Sequence, residues 1–424
     1  MVFTSAIQTK EKMKIAWLLN GCGLESRTIT GSPIRFHAVS SRWRALHPEI
    51  EQTLVTTSGG EQMLRRMGCE LKVVRLPASL VLRAEPFKIF RFWSYVVTAC
   101  ATYFLRRRFP ETDVVISVSD YFCDVIPALF MKRWQSGVQW IAWIHHREIA
   151  PRVRPGNRFA NEITWRIQTW SFRRIARNAD QAWVLDSEAG DEIATDLRAF
   201  GMPSEKIRKM RNGIDLSVIR PMSEVSPHVD AVMIGVRPNK GAGDIVPVWR
   251  EVQLLRPGTT LLLMGGISDV ESLAERLVRA GLSDVVKIFR PEEGWLAPKA
   301  FFAKIKEARV LFAPSHEEGW GIAVCEAMAC GLPVVAYDLP VYRRVYGDAL
   351  ATVKENGHRA FAEMICRLLD EPSVFDDYRR RGRVCAAKYD WDQVAKDDVE
   401  ILAGVSGLSD GSGFYGATST NKKG

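Results

Sequence analysis

The sequence predicts an α/β protein built as two doubly wound parallel-sheet units facing a cleft, and three observations carry that expectation. Short apolar runs alternate with longer amphipathic stretches, the pattern of strands covered by helices on both faces. The alternation breaks near residues 220–228 and then starts again. The chain has 424 residues, too many for one ordinary core.

KIAWLL at residues 14–19 reads as the first buried strand, followed by strands at 52–57, 71–76, 113–118, 139–144 and 181–185. Helical periodicity fills the gaps at 86–108, 123–134, 158–175 and 188–200. The stretch RPMSEVSPH, with two prolines, two serines and little periodicity, marks a linker. Beyond it, strands are expected at 231–235, 260–264, 285–289, 310–313 and 334–337, with helices at 244–255, 269–280, 298–307 and 321–329. Helices near 361–369, 373–388 and 391–402 are expected to close the second unit. The Gly-, Ser-, Thr- and Asn-rich end reads as a disordered tail. The expected limits are 13–220 for the first domain, 229–390 for the second, 391–405 for a helix closing the fold and 406–424 for the tail. Ligands bind at the carboxyl ends of the strands in such sheets, so the loops after the strands are where function is expected.

Composition narrows the classes. Eight scattered cysteines without a C-x-x-C pair fit reduced thiols in the cytoplasm better than a disulfide framework or a zinc site. Residues 1–12 are polar and lack the hydrophobic segment of a signal peptide. The apolar run 93–105 is bracketed by Lys88 and Arg91 before it and Arg106, Arg107 and Arg108 after it. It falls short of the roughly 20 residues a spanning helix needs. Residues 1–220 hold 33 Lys and Arg against 21 Asp and Glu, whereas the remainder holds 25 against 28. A basic first half implies an anionic partner. No nucleic-acid-binding module is recognisable, so nucleic acid is not the expected one.

The most informative segment is APSHEEGWGIAVCEAMACG, residues 313–331. A strand ends, a polar loop follows, and a helix begins near Gly321. Gly319 and Gly321 let backbone N–H groups approach a ligand closely, and the helix N-terminus adds a positive dipole, which makes an anion site. Glu318 on the loop and Glu326 in the second helical turn can face one bound molecule from different depths. Glu317 falls outside that spacing and reads as solvated surface.

This segment resembles the P-S-x-x-E-G-F-G-x-x-x-x-E-A-M-A-x-G-x-P-V-V-A signature of the family-four retaining glycosyltransferases, the glycosyl transferases group 1. Trp320 stands where phenylalanine is usual, and Gly331 to Ala336 complete the match. The resemblance implies the GT-B fold, two Rossmann-like domains, and a UDP- or GDP-sugar as donor. It implies that Glu326 binds the ribose hydroxyls and Glu318 the hydroxyls of the transferred sugar, with Gly319, Trp320 and Gly321 shaping the donor loop. IGVRPNKG (234–241) is similar to the family's G-R-L-x-x-x-K-G, with the arginine nearer the lysine, and implies that Arg237 and Lys240 meet the diphosphate. RNGID (211–215) is similar to its N-G-V-D turn. His145, with His146 as the alternative, matches the histidine at a first-domain strand end near sugar and acceptor. Gly31, in Thr30-Gly31-Ser32, stands for the Gly-rich loop whose amides meet the diphosphate or acceptor.

Other readings are weaker. Gly21-Cys22-Gly23-Leu24-Glu25-Ser26 nearly spells a dinucleotide fingerprint, but Thr56-Thr57-Ser58-Gly59 supplies no acidic ribose ligand after the second strand. No D-x-D stands on a suitable loop, so neither a metal nor another cofactor is expected. The expected activity is retaining transfer to a glycan or lipid-linked acceptor in surface-glycan biosynthesis. The alternatives are a small-molecule acceptor, a nucleotide-sugar epimerase or hydrolase, and a non-catalytic partner on the same fold. Residues 87–109 interleave aromatic and basic side chains. They are expected either to lie on an anionic membrane surface, placing the enzyme peripherally on the cytoplasmic face, or to cover the first sheet.

Overall fold

The computed structural model describes residues 12–21, 31–76, 88–109, 111–148, 150–152, 158–223, 225–267, 269–291 and 296–403, the side chains of 88–95 and of Ala403 excepted. The expected tail 406–424, Thr30 and the side chains of Phe87, Phe90 and Trp93 lie outside the described residues.

Among the described residues, seven strands form the first sheet: β1 (Met13–Leu19), β2 (Ile50–Thr57), β3 (Lys72–Leu76), β4 (Val114–Ser117), β5 (Gln139–Ile144), β6 (Gln181–Leu185) and β7 (Ile207–Met210). Six form the second: β8 (Val229–Val236), β9 (Leu261–Ile267), β10 (Val286–Ile288), β11 (Ala308–Ala313), β12 (Val334–Tyr337) and β13 (Ala351–Val353). The spatial orders are β3-β2-β1-β4-β5-β6-β7 and β10-β9-β8-β11-β12-β13. Every pairing is parallel. Each sheet reverses its strand order once, at β1/β4 and at β8/β11, and these two switch points are where ligands are accommodated in such folds. The two doubly wound, Rossmann-like sheets are those the apolar runs predict. The edge strands β7 and β13 escape the sequence reading because they are short and half exposed, so they lack a continuous apolar run.

The central strands are buried on both faces, which is why they read as unbroken hydrophobic runs. Tryptophans dominate one layer of the first core. Trp17 packs against Phe36, Trp43 and Trp143 at 5.2, 5.3 and 5.2 Å between ring centroids. Two of the buried indole N–H groups donate locally, from Trp17 to Gln52 Oε1 at 2.9 Å and from Trp140 to Ser117 Oγ at 3.1 Å. An unmade hydrogen bond there would carry the full desolvation cost.

The helix Gly31–Leu46 begins at Gly31, so Gly31 and Ser32, expected in the Gly-rich loop, stand at a helix start instead. Its sequence shows no amphipathic period because polar Arg35 and Ser40 share the buried face with Phe36, Val39 and Trp43, while apolar Leu46 lies exposed. One face meets the sheet and the other meets the last helix, Trp391–Ala403. That last helix was expected to close the second domain. Instead it crosses back to the first, where Trp43 donates its indole N–H to Ala395 O at 2.9 Å and Arg35 pairs with Asp398 at 2.6 Å. Neither Arg35 nor Asp398 is exposed by more than 2%, and burial of this kind is tolerated only for paired charges. The crossing is fixed by Gly213, where a Cβ would come within 2.9 Å of the Trp391 ring, and by a bridge between Ile214 and Asp390.

The stretch expected at 86–108 is the helix Lys88–Phe104 with a 3₁₀ turn at Arg106–Arg108. Thr98, Ala99 and Thr102 are buried, and Tyr103 packs on Phe130 and Trp134 of the neighbouring helix Phe122–Trp134. The opposite side leaves Val97 and Phe104 exposed, Phe104 by 80%, and Tyr103 stays half exposed beside its ring contacts. The helix therefore covers the sheet with one face and presents apolar groups beside three arginines with the other. No helix among the described residues is long and apolar enough to cross a membrane.

Candidate functional site

The carboxyl ends of β8 and β11 carry the two loops singled out by the sequence. After β8 the chain turns through Arg237, the 3₁₀ segment Pro238–Lys240 and Gly241. Gly241 has φ +80° and lies so close to the other loop that a Cβ would sit 2.0 Å from Pro314 O, so only glycine fits. After β11, residues 314–321 lead into the helix Ile322–Ala329 through Gly321 at φ +92°. His316 N and Glu317 N both donate to Asn239 O, at 3.0 and 3.3 Å, and lock one loop to the other.

Beneath them lies a group that sequence reasoning missed. Asp244 is buried, and its carboxylate accepts from Tyr337 Oη at 2.8 Å and meets His316 Nε2 at 2.7 Å and His358 Nε2 at 2.9 Å. His316 Nδ1 stands 2.5 Å from Glu355 Oε1. Burial opposes charge on His316, but Glu355 and Asp244 outweigh it and raise its pKa. The only sequence signal was a histidine inside the motif. Its partners are distant in the chain.

Lys240 pairs with Glu318 Oε1, which also accepts from Ser315 Oγ at 3.3 Å. These two predicted residues thus stand together, largely buried. Arg237 is partly buried beside them, and its Nε has no hydrogen-bond partner among the described residues. Glu326 stands in the second turn of the helix Ile322–Ala329, with no side-chain hydrogen bond or ion pair among the described residues. Burial, reinforced by the charge of Asp215, pushes its pKa up to about 8. An acid held neutral can both donate to and accept from paired hydroxyls.

The first domain supplies the opposite wall. His145 follows β5 and its Nε2 lies 3.1 Å from Val118 O, so Nε2 carries the proton and Nδ1 is left as an acceptor. Burial and the nearby Arg35 hold its pKa down to about 3, which keeps the ring neutral. The Gly319 backbone packs directly against this residue, for a Cβ there would meet His145 O at 2.9 Å. Gly31 opens the helix Gly31–Leu46, and a Cβ on it would lie 3.6 Å from Ile322 Cδ1. Two helix N-termini, one from each domain, therefore converge on the cleft, and their dipoles make the space between them favourable to an anion.

Two placements differ from expectation. Trp320 is 2% exposed, its ring edge-on to Tyr346 at 5.6 Å and Tyr389 at 5.0 Å. It braces the loop from behind and leaves no face for a ligand. Glu317 is not solvated surface: its Oε1 lies 2.9 Å from His146 Nε2 on the first domain. Below His146, Asp120 is buried, accepts from Gln168 Nε2 at 2.9 Å and has its pKa raised by burial to about 6. No motif announced it.

Residues 231–384 match the family described as glycosyl transferases group 1. Among curated relatives, the chain is similar to a D-inositol 3-phosphate glycosyltransferase of Segniliparus rotundus, 29% identical over 46% of each chain. It is also similar to an alpha-maltose-1-phosphate synthase of Mycolicibacterium smegmatis, 26% identical over 57% of this chain and 67% of that one. The match thus spans about half to two thirds of these relatives' length. Among solved structures it is similar to a sucrose-phosphate synthase from Thermosynechococcus elongatus, with TM-score 0.71 and 16% identity over 94% of this chain and all of that one. It is likewise similar to Anabaena HepE in complex with UDP-glucose, with TM-score 0.67 and 14% identity over 92% of this chain and all of that one. These likenesses show the fold, which is GT-B.

The neutral Glu326 has a consequence for stability. A carboxyl whose folded pKa exceeds its unfolded value binds its proton more tightly when folded, so stability is lost as pH rises from the ordinary glutamate range toward about 8. Glu326→Gln removes that loss. Melting of the donor-free protein between about pH 5 and pH 9 is expected to fall less steeply for the variant than for the parent, by a few degrees. Superimposable pH curves would show that Glu326 is ionised in the empty site.

Proposed function

Given that residues 231–384 form a glycosyl transferases group 1 domain within a GT-B fold, we propose that this chain transfers a sugar from a nucleotide-diphosphate sugar to an acceptor with retention of configuration. The observation that supports the reading is that the Lys240–Glu318 pair and His145 border one cleft between two helix N-termini, with Arg237 and Glu326 on the two second-domain segments that flank the pair.

Each residue then has a task. Glu326 takes the paired ribose hydroxyls. The diphosphate draws Lys240 away from Glu318 and engages the unsatisfied Arg237, while the helix N-termini face the remaining charge. Glu318, freed of its lysine, holds hydroxyls of the sugar, and His145 Nδ1 accepts another. Breaking the bond from the anomeric carbon to the phosphate oxygen puts positive character on the sugar and negative charge on the leaving diphosphate, and the basic groups stabilise the latter. The acceptor oxygen bonds to the anomeric carbon from the same face, and its proton passes to the departing phosphate oxygen. This route calls on no metal or other cofactor.

For the acceptor, the basic first half supports an anionic molecule. One form is a lipid-linked or growing surface glycan, met by an enzyme lying peripherally on the cytoplasmic leaflet through Phe104, Tyr103 and Arg106–Arg108. The other is a small phosphorylated acceptor. The names of the relatives, a D-inositol 3-phosphate glycosyltransferase and an alpha-maltose-1-phosphate synthase, are what supports that second form.

Three outcomes test this. Lys240→Ala and Glu326→Ala are each expected to cut transfer at least about tenfold with the fold intact, since the charge-assisted bond of Lys240 contributes about 1.5–3 kcal/mol and the paired bonds of a neutral Glu326 about 0.5–1.5 kcal/mol each. Parental turnover in both would mean that the donor binds elsewhere. An α-donor is expected to give an α-linked product, equally well in excess chelator, as read from the anomeric proton resonance. A β-product or loss of activity in chelator would overturn the retaining, metal-free route. Flotation with anionic vesicles is expected to carry the protein at low salt and release it at high salt. Failure to float at low salt would leave the small acceptor as the reading.

A further inference from the structure

His146 follows His145 at the end of β5, and its Nε2 reaches Glu317 Oε1 at 2.9 Å. The partners come from opposite domains, and each adjoins a residue of the proposed donor site, His145 on one side and Glu318 on the other. The Glu317 side chain is 18% exposed and that of His146 41%. The carboxylate is thus largely withdrawn from water while the imidazole still titrates against it. The backbone around the pair leaves little play, with Glu317 N tied to Asn239 O and Gly319 seated against His145 O.

We propose that the His146–Glu317 ion pair is a latch between the domains, and that His146 is a positioning residue which seats the Glu318 loop for sugar transfer. The inference rests on the transferase reading above. Glu318 acts on a bound sugar only when the second-domain loop stands at a fixed distance from the first-domain wall, and displacement by about 1 Å is enough to cost much of a rate. A latch that forms before the donor arrives raises the fraction of molecules competent to bind, and apparent affinity scales with that fraction.

The latch is charged only while His146 is protonated. Burial disfavours that form, but Glu317 from the facing loop, with Glu148 and Asp120 from its own domain, outweighs burial and raises the His146 pKa above the ordinary histidine value. As pH climbs through that raised value the imidazolium is lost and the latch weakens, so donor use declines on the alkaline side.

The experiment uses the full chain labelled with [13C]histidine, the His146 resonance being assigned by its absence in His146→Gln. In the parent it is expected to titrate above the ordinary histidine range, and in Glu317→Gln at lower pH. Donor kcat/KM is expected to fall roughly threefold to tenfold in either single variant, as for a partly buried ion pair, with the alkaline limb of Glu317→Gln moved to lower pH. The swapped double variant, His146→Glu with Glu317→His, is expected to recover most of the loss, which a merely structural role for either side chain would not allow. An unshifted His146 titration in Glu317→Gln overturns the pair, and a shifted titration with parental kcat/KM overturns its positioning role. If the parent transfers no sugar from any nucleotide sugar, the transferase reading fails and the positioning role falls with it. The titration then still decides whether the pair joins the domains.

Discussion

Arg35 has no exposed surface, and its charge is met by Asp398, 2.6 Å away on a helix that arrives from the far end of the described chain. Its Nε donates to Arg211 O at 3.3 Å, and its guanidinium lies 4.1 Å over the Trp143 ring. Nη1 has no hydrogen-bond partner among the described residues, so the aromatic face stands in for water there. Removing either charge would strand the other in the interior, at about 3–5 kcal/mol. That constraint binds the last helix to the first domain. With it goes the placement of the second sheet opposite the first.

The same guanidinium reaches the proposed chemistry. It adjoins His145 and, after burial, is the main reason the ring stays neutral. A neutral histidine with its proton committed to Val118 O offers one acceptor of fixed direction, which suits a sugar hydroxyl better than an anionic phosphate. The negative charge of the proposed donor falls instead to Lys240, Arg237 and the two helix N-termini.

Glycine sets how tightly the parts meet. At Gly241 and Gly319 a single methyl group would collide with backbone oxygen, of Pro314 and of His145 respectively. One contact joins the two loops of the second domain, and the other joins that domain to the first. The motif glycines therefore act as spacers between pieces of main chain as much as by freeing the backbone for positive φ.

Much of this was legible in the chain. Apolar runs buried on both faces announce parallel strands because covering helices leave no polar alternation, so both sheets could be read from local pattern, while Glu318, Glu326 and Lys240 were singled out by a motif that resembles the family's. The helix Gly31–Leu46 could not, since polar Arg35 and Ser40 lie on its buried face and apolar Leu46 on its exposed one. Nor could Asp244 with His316 and His358, Asp120 beneath His146, or the pairing of His146 with Glu317. Trp320 was legible as a motif residue, but its inward packing was not. The sequence by itself determined which groups exist and which loop carries each, because strand and helix periods act over a few residues. Tertiary structure alone decided which of them meet, because charge pairs and close backbone contacts depend on distances that no spacing along the chain encodes.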